Sequence, residues 1–338
     1  MYFCGMQLDY SFIIPVYNRP QEIQELLDSF LQVAFPRPFE IVIVEDGSTK
    51  SSKEVIDQFA SQLNISYFYK ENSGPGDSRN YGMERAKGNY FIILDSDCLI
   101  PPHYLESVDQ FLTTNYFDCF GGADAAHSDF TNLQKAINHV MTSFLTTGGI
   151  RGSKNSVTNF EPRSFNMGIS KKAFLATGGY AKIHPGEDPD LSHRILKAGF
   201  KTTFIPNAAV FHKRRISWKK FHTQVKKFGM VRPILTSWHP ESAKITFWFP
   251  SLFVAFVIAT VICSIWIDIR CSFPLGLYLS LVFLESIIKN KNVIIGLLSV
   301  FAVFVQFFGY GLAFLKSTFF VRLLKKDPEK QFPHLFFK

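Results

Sequence analysis

The chain lacks the marks of a secreted or disulfide-stapled protein. Its five cysteines, Cys4, Cys98, Cys119, Cys263 and Cys271, fall at no paired spacing. They point to neither a zinc site nor a disulfide framework, which suits a reducing compartment. Residues 1–9 lack the basic start and apolar stretch of a secretory signal, and a strand-like run follows at once. The globular part is therefore expected in the cytosol. No internal repeat or low-complexity segment stands out. Charge is absent from three stretches: residues 245–267 (23 residues), 271–284 (14) and 292–315 (24). A helix needs about 20 apolar residues to cross a bilayer. The first and third stretches qualify and the middle one is short. The competing reading is a buried helix pair in a large soluble core, but two long uncharged runs are rare in soluble proteins.

Acidic residues are also missing between Asp190 and Glu241, where eight basic residues lie between Lys213 and Arg232. A basic block just before an apolar run favours an anionic lipid surface and marks the cytosolic side of a membrane. Nucleic acid is the rival partner of a basic patch, and the adjoining apolar runs disfavour it. Residues 218–228 read as an amphipathic helix on the membrane, with Trp218, Phe221, Val225 and Phe228 on one face. The end of the chain is again basic (Lys316, Arg322, Lys325, Lys326, Lys330). Three spans would put that tail on the far side. The expected topology is therefore a cytosolic tail, two full spans and a re-entrant or interfacial middle piece.

What is present up to about residue 215 is an alternation of strands and helices. Residues 11–16, 39–44, 65–69 and 90–94 read as buried strands. Residues 21–33, 51–63 and 78–86 read as the helices between them. Ile- and Val-rich strands alternating with helices indicate a parallel sheet of βαβ units. Beyond residue 101 the pattern loosens: helices are expected at 104–113, 133–145, 171–177 and 189–198, and short strands at 202–205 and 209–211. Ligands of open α/β sheets sit beyond the carboxyl ends of the strands. Four polar segments fall there: Pro15-Val16-Tyr17-Asn18, Glu45-Asp46-Gly47-Ser48, Asn72-Ser73-Gly74 and Asp95-Ser96-Asp97.

Asp95 and Asp97 are two residues apart at a strand end, so their carboxylates point the same way and can approach one hard cation. Mg²⁺ or Mn²⁺ takes such oxygen ligands and shares them with substrate phosphates. An Asp-x-Asp alone is a common feature of exposed loops. Its place after an apolar strand of a βαβ array strengthens it.

These motifs in this order, with Arg79-Asn80 and the later Gly178-Gly179-Tyr180 and Gly186-Glu187-Asp188, resemble the family 2 glycosyltransferases of GT-A fold. The resemblance covers about residues 10–215. The charge and hydropathy pattern gives a basic juxtamembrane segment (216–244), transmembrane helices (245–316) and a basic tail (317–338), and the resemblance implies a Rossmann-like, mostly parallel GT-A domain (1–215) before them. It further implies that Pro15, Tyr17 and Asn18 line a nucleotide pocket, that Asp46 meets uracil or ribose, and that Arg79 and Asn80 face the nucleotide and its phosphates. Asp97 would be the principal metal ligand, with Asp95 reaching the ribose or the metal, and Asp188 the catalytic base beside a substrate-binding Glu187. His212 would complete the metal site, or is a surface histidine of the basic segment. Asp124 would touch the donor sugar. Asn166, within 163–168, would contact donor or acceptor, or belongs to a turn with packing aromatics.

Physical chemistry supports the same scheme. An inverting transfer needs a carboxylate to take the acceptor proton, a contribution of about 10²–10⁴-fold, and a cation on the leaving diphosphate. Acidic residues at 187–188 are also what a helix start favours. Two positions depart from the family: Glu45 stands where a second Asp is usual, and Asp77 puts a charge beside the expected phosphates. The Gln-x-x-Arg-Trp of processive synthases does not follow Asp188, which favours a single-addition enzyme. A sugar nucleotidyltransferase would carry a Gly-rich, Arg-containing loop after the first strand, and Pro15-Val16-Tyr17-Asn18 is not that. An inactive membrane scaffold would be expected to have lost Asp95, Asp97 or Asp188. The expected activity is transfer of a sugar from a nucleotide donor, UDP-linked, to a membrane-associated acceptor of surface-glycan assembly. The expected location is the cytoplasmic face of the inner membrane.

Overall fold

Successive residues of a strand point to opposite faces of a sheet, and here both faces are covered. A computed structural model describes residues 7–125, 130–147, 160–212 and 217–337; the side chains of Asp124, Ala125 and His212 lie outside the described residues, as do Lys213, Arg214 and Arg215 of the basic block. In β1 (Tyr10–Val16), Phe12 and Ile14 join one apolar cluster and Ile13 the other. β2 (Glu40–Asp46) divides Ile41 and Ile43 from Val42 and Val44 in the same way. After β3 (Ile65–Lys70), β4 (Tyr90–Leu94) sorts Tyr90, Ile92 and Leu94 from Phe91 and Ile93. The helices α1 (Pro20–Phe30), α2 (Lys53–Phe59) and α3 (Pro75–Arg85) connect these strands. α3 lies close on the sheet because Gly82 faces it: a Cβ there would stand 2.8 Å from Ile13 Cγ2.

Four further strands extend the sheet: β5 (Cys98–Leu99), β6 (Cys119–Ala125), β7 (Asn166–Ser170) and β8 (Thr202–His212). The order is β3-β2-β1-β4-β7-β6-β8-β5. β3, β2, β1 and β4 run parallel, so their carboxyl ends share one edge. β7 is antiparallel to both β4 and β6, and β8 is parallel to β6. This mostly parallel arrangement is the expected GT-A class.

Three details differ from the sequence expectation. The segment 163–168 contributes to a central strand, which its few β-branched residues do not announce. The two short strands at 202–205 and 209–211 are one strand, with Ile205 opposite Gly122 and Ala209 opposite Ala123. Pro206 has no N–H to give to the ladder, so the chain bulges there and resumes. Asp95-Ser96-Asp97 is a tight turn in which Cys98 N donates to Asp95 O at 3.1 Å. The strand alternation that would aim both carboxylates alike does not apply there.

The remaining helices are α4 (Tyr104–Thr114), α5 (Asn132–Thr142), α6 (Phe144–Thr147), α7 (Lys171–Thr177), α8 (Glu187–Lys197), α9 (Trp218–Trp238), α10 (Phe249–Trp266), α11 (Phe273–Asn290), α12 (Val293–Ser317) and α13 (Pro328–Gln331). The chain divides into two compact units. Among the described residues the sheet unit holds 7–125, 160–212 and 336–337, and the second holds 130–147 and 217–335. A stretch between β6 and β7 thus folds with the second unit.

In the second unit three helical stretches are long and apolar enough to cross a membrane: Ile245–Trp266, Ile269–Asn290 and Val293–Leu323. The middle one outruns its uncharged core. Glu285, which ended that core in the sequence, is held by Ser143 Oγ at 2.5 Å and Lys289 Nζ at 2.6 Å, and the helix continues to Asn290. Large apolar side chains such as Trp266 and Ile288 are exposed along these helices. The amphipathic α9 corrects one expectation. Its Phe221 and Val225 do not face lipid; they are buried in a cluster with α5, α11 and α12, and Trp218 stacks edge-on to Phe301 at 4.7 Å. The close approach rests on Gly229, where a Cβ would stand 2.3 Å from Tyr310 O.

Candidate active site

The polar strand ends are latched to one another before any substrate is considered. Asn18, in the left-handed region (φ 55°), accepts hydrogen bonds through Oδ1 from Thr49 N (2.9 Å), Thr49 Oγ1 (3.0 Å) and Lys50 N (2.8 Å). It ties the end of β1 to the loop after β2. Pro15 lies within β1 and Tyr17 beside Asn18 is exposed, leaving an aromatic face open at this edge. Asp46 closes β2. Its carboxylate accepts from Ser73 N and Gly74 N, each at 3.0 Å, and from Lys70 Nζ at 2.8 Å. Lys70 stands directly opposite Asp46 in the β2–β3 ladder. Glu45 turns to the other face, where Oε2 accepts from Ser52 N at 2.8 Å at the start of α2.

Arg79 is the hub. Buried on α3, its Nη2 donates to Asp95 Oδ1 at 2.8 Å and its Nη1 to Glu187 Oε1 at 3.3 Å, with the guanidinium over the Tyr180 ring at 5.3 Å. Burial disfavours its charge, but Asp95, Tyr180, Glu187 and Asp188 outweigh that and raise its pKa above the ordinary arginine value. One buried cation thereby links the turn after β4 to the start of α8. Glu187 is also bound by His184 Nδ1 at 2.9 Å. Burial would raise its pKa, yet His184 and Arg79 hold it below the usual carboxylate value.

Asp188 behaves oppositely. Burial, then the adjacent Glu187 charge, pushes its carboxyl up to about 6 against Arg79, Arg163 and Ser164. Among the described residues its Oδ1 has no hydrogen-bond partner. A half-buried carboxylate with one oxygen shielded and unpaired, raised toward neutrality, is suited to receive a proton.

Asp97 Oδ2 is 2.7 Å from Arg19 Nη1. The β5–β8 ladder sets His212 opposite Cys98, one residue beyond Asp97. Among the described residues no three His, Cys, Asp or Glu side chains form a group able to hold a metal. Asp95 and Asp97 still provide hard oxygen donors on one turn, each now balanced by an arginine, and that chemistry fits Mg²⁺ or Mn²⁺. Asp124 lies in β6 opposite Val210.

Two sequence-selected residues are committed to structure. Both ends of the Asn80 amide bind the Tyr180 main chain, Nδ2 to O and Oδ1 from N, each at 2.8 Å. Asn166 donates to Ala208 O at 2.7 Å and Ala123 O at 3.1 Å and accepts from Tyr104 OH at 2.6 Å. Arg19, Lys70 and His184 enter the site without having been singled out in the sequence, and Tyr180, picked out there only as part of Gly178-Gly179-Tyr180, supplies the ring beneath Arg79. Lys70 had the clearest signal, as the last residue of the strand neighbouring Asp46.

Residues 11–174 match the family model described as Glycosyl transferase family 2. Glycosyltransferase GlyG of Streptococcus pneumoniae is 33% identical over 221 residues, which is 61% of this chain and 70% of that protein. Poly(ribitol-phosphate) beta-N-acetylglucosaminyltransferase TarS of Staphylococcus aureus is 32% identical over 114 residues, 33% of this chain but 20% of TarS. The chain spans as little as 14% of the length of other curated relatives it matches. Among solved structures, mannosyltransferase PcManGT from Pyrobaculum calidifontis, in complex with GDP-Man and Mn²⁺, superposes with a TM-score of 0.65 at 14% identity, covering 90% of this chain and 88% of that one. That likeness shows the fold.

Proposed function

Because the chain belongs to glycosyl transferase family 2, we propose that it is an inverting, metal-dependent enzyme that moves a sugar from a nucleotide-sugar donor, UDP-linked, to a membrane-associated acceptor in surface-glycan assembly. Asp188 takes the proton of the acceptor hydroxyl as that oxygen bonds to the anomeric carbon, and the bond from that carbon to the nucleoside diphosphate breaks. The observation that carries this reading is the Asp188 carboxyl itself, raised to about 6 with one oxygen unpaired, at one end of the network through which Arg79 reaches Asp95. Asp97 and Asp95, with His212, would hold Mn²⁺ or Mg²⁺, which stabilises the departing diphosphate when bound. Tyr17 and Pro15 would line the base pocket. Asp46, positioned by Lys70, would meet the base or ribose, and Asp124 and Glu187 the donor sugar.

Three apolar helices support a membrane-bound enzyme. The basic segment 213–232 supports an anionic, cytoplasmic lipid face. PcManGT was solved with GDP-Man, so the test includes both bases. The purified full chain is screened with UDP- and GDP-linked sugars for Mn²⁺-dependent binding or hydrolysis. The reading requires that one donor class bind and that Asp97→Ala abolish it. If no donor binds and Asp97→Ala changes nothing, the reading fails.

A further inference from the structure

Phe336 and Phe337 lie more than 120 residues beyond His212, yet they fold with the sheet unit. Their attachment is main-chain and directional. Phe336 forms an antiparallel bridge with Ile183, and Phe337 N donates to Lys182 O at 3.0 Å. The Phe337 ring then packs against Gly74. A Cβ built at Gly74 would stand 2.3 Å from Cδ2 of that ring, and Gly74 has φ +95°, so a glycine both permits the contact and suits the backbone. The ring also meets His184, with centroids 5.8 Å apart and the rings tilted by 51°.

Both neighbours are joined to the site. Gly74 N donates to Asp46 Oδ2 at 3.0 Å, and Gly74 O accepts the Ser78 amide that begins α3, the helix of Arg79. His184 binds Glu187, the residue before Asp188. One aromatic ring therefore braces the loop that fixes Asp46 against the loop that leads into Glu187 and Asp188.

We propose that Phe337 is a positioning residue for the nucleotide end of the donor, and that the segment 336–337 is a strap that completes the donor site from a distant part of the chain. This rests on the proposed nucleotide-sugar reading. The ring touches neither Asp46 nor Asp188 in this scheme. It holds the Ser73–Gly74 amides where the Asp46 carboxylate is oriented, so its loss weakens binding of the nucleotide more than it slows the bond-making step.

The test uses the full chain in detergent with UDP as probe, GDP as the second probe, and Mn²⁺ present. Phe337→Ala should raise the Kd for UDP by about three- to tenfold, the range of one aromatic contact. The turnover at saturating donor should change little, and Phe337→Tyr should restore affinity. If Phe337→Ala binds UDP as tightly as the parent chain, or more tightly, the strap is a structural tie or a cover and the proposal is overturned. If the parent chain binds neither nucleotide, the nucleotide-sugar reading falls and the proposal with it. A second variant guards against loss of folding. In Ile183→Cys/Phe336→Cys the paired positions should form an intrachain disulfide, and the locked chain should bind UDP at least as well as the parent. No disulfide, or UDP binding lost on oxidation, also overturns the proposal.

Discussion

Arg19 Nη1 stands 2.7 Å from Asp97 Oδ2, so a side-chain cation sits on the carboxylate that the family resemblance marks as the principal metal ligand. Arg19 is 46% exposed, which keeps the pair cheap to open. Arg19 and a divalent ion would compete for the same oxygen.

Arg19→Ala should therefore tighten Mn²⁺ binding. An exposed pair is worth up to about 1 kcal/mol, so the gain is about fivefold at most. Titration calorimetry or Mn²⁺ electron spin resonance reads it directly. A weaker Mn²⁺ affinity in Arg19→Ala would mean that the arginine orients Asp97 for the metal instead of competing with it.

Asp188→Asn should make the protein more stable at neutral pH. The folded carboxyl titrates at about 6, above its unfolded value of about 3.9. Between those values the folded state keeps a proton that the unfolded state has released, so stability falls as pH rises through the window. Above it the full cost remains, on the order of 3 kcal/mol. Asparagine removes that cost. Thermal melts near neutral pH should show Asp188→Asn above the parent and the difference closing at low pH. A lower melting point at neutral pH would mean that the Asp188 charge is stabilising.

Asn166→Ala should cost stability and leave nucleotide affinity alone. It removes the partner of Ala208 O, Ala123 O and the Tyr104 hydroxyl at once. Each buried polar group left unpaired costs about 1–3 kcal/mol. The expected result is a much lower melting point with the UDP Kd of the folded fraction unchanged. A weakened Kd with an unchanged melting point would make Asn166 a donor contact.

Asn166 also shows where the sequence stops being legible. The parallel half of the sheet was readable because β1, β2 and β4 are buried on both faces and announce it with runs of Ile, Val and Phe. β4 was read at its observed bounds, Tyr90–Leu94. β7 was not, since Asn166-Met167-Gly168-Ile169-Ser170 owes its place to pairing with β4 and β6, which is information from elsewhere in the chain. The site divides in the same way. Asp46, Arg79, Asp95, Asp97 and Asp188 could be selected as motif residues at strand ends or a helix start. Their partners could not. Arg19 on Asp97 and Tyr180 under Arg79 join segments far apart in the chain, and His184 on Glu187 depends on how one loop turns into α8; no periodicity encodes them. The α9 stripe was legible as amphipathic, but its partner was not: protein and lipid make the same demand on Phe221 and Val225 until α12 is in place.

The central claim is that Asp188 is the base of a sugar transfer, and its most direct test is the rate of nucleoside diphosphate release against pH at limiting donor and acceptor, where kcat/KM reports the groups of the free enzyme, with Mn²⁺ present. For the parent chain the account predicts a rate that falls about tenfold per pH unit below an apparent pKa of about 6 and is level above it. For Asp188→Asn it predicts a rate about 10²–10⁴-fold lower with that limb gone. An Asp188→Asn variant that turns over like the parent, with the same acidic limb, would contradict it.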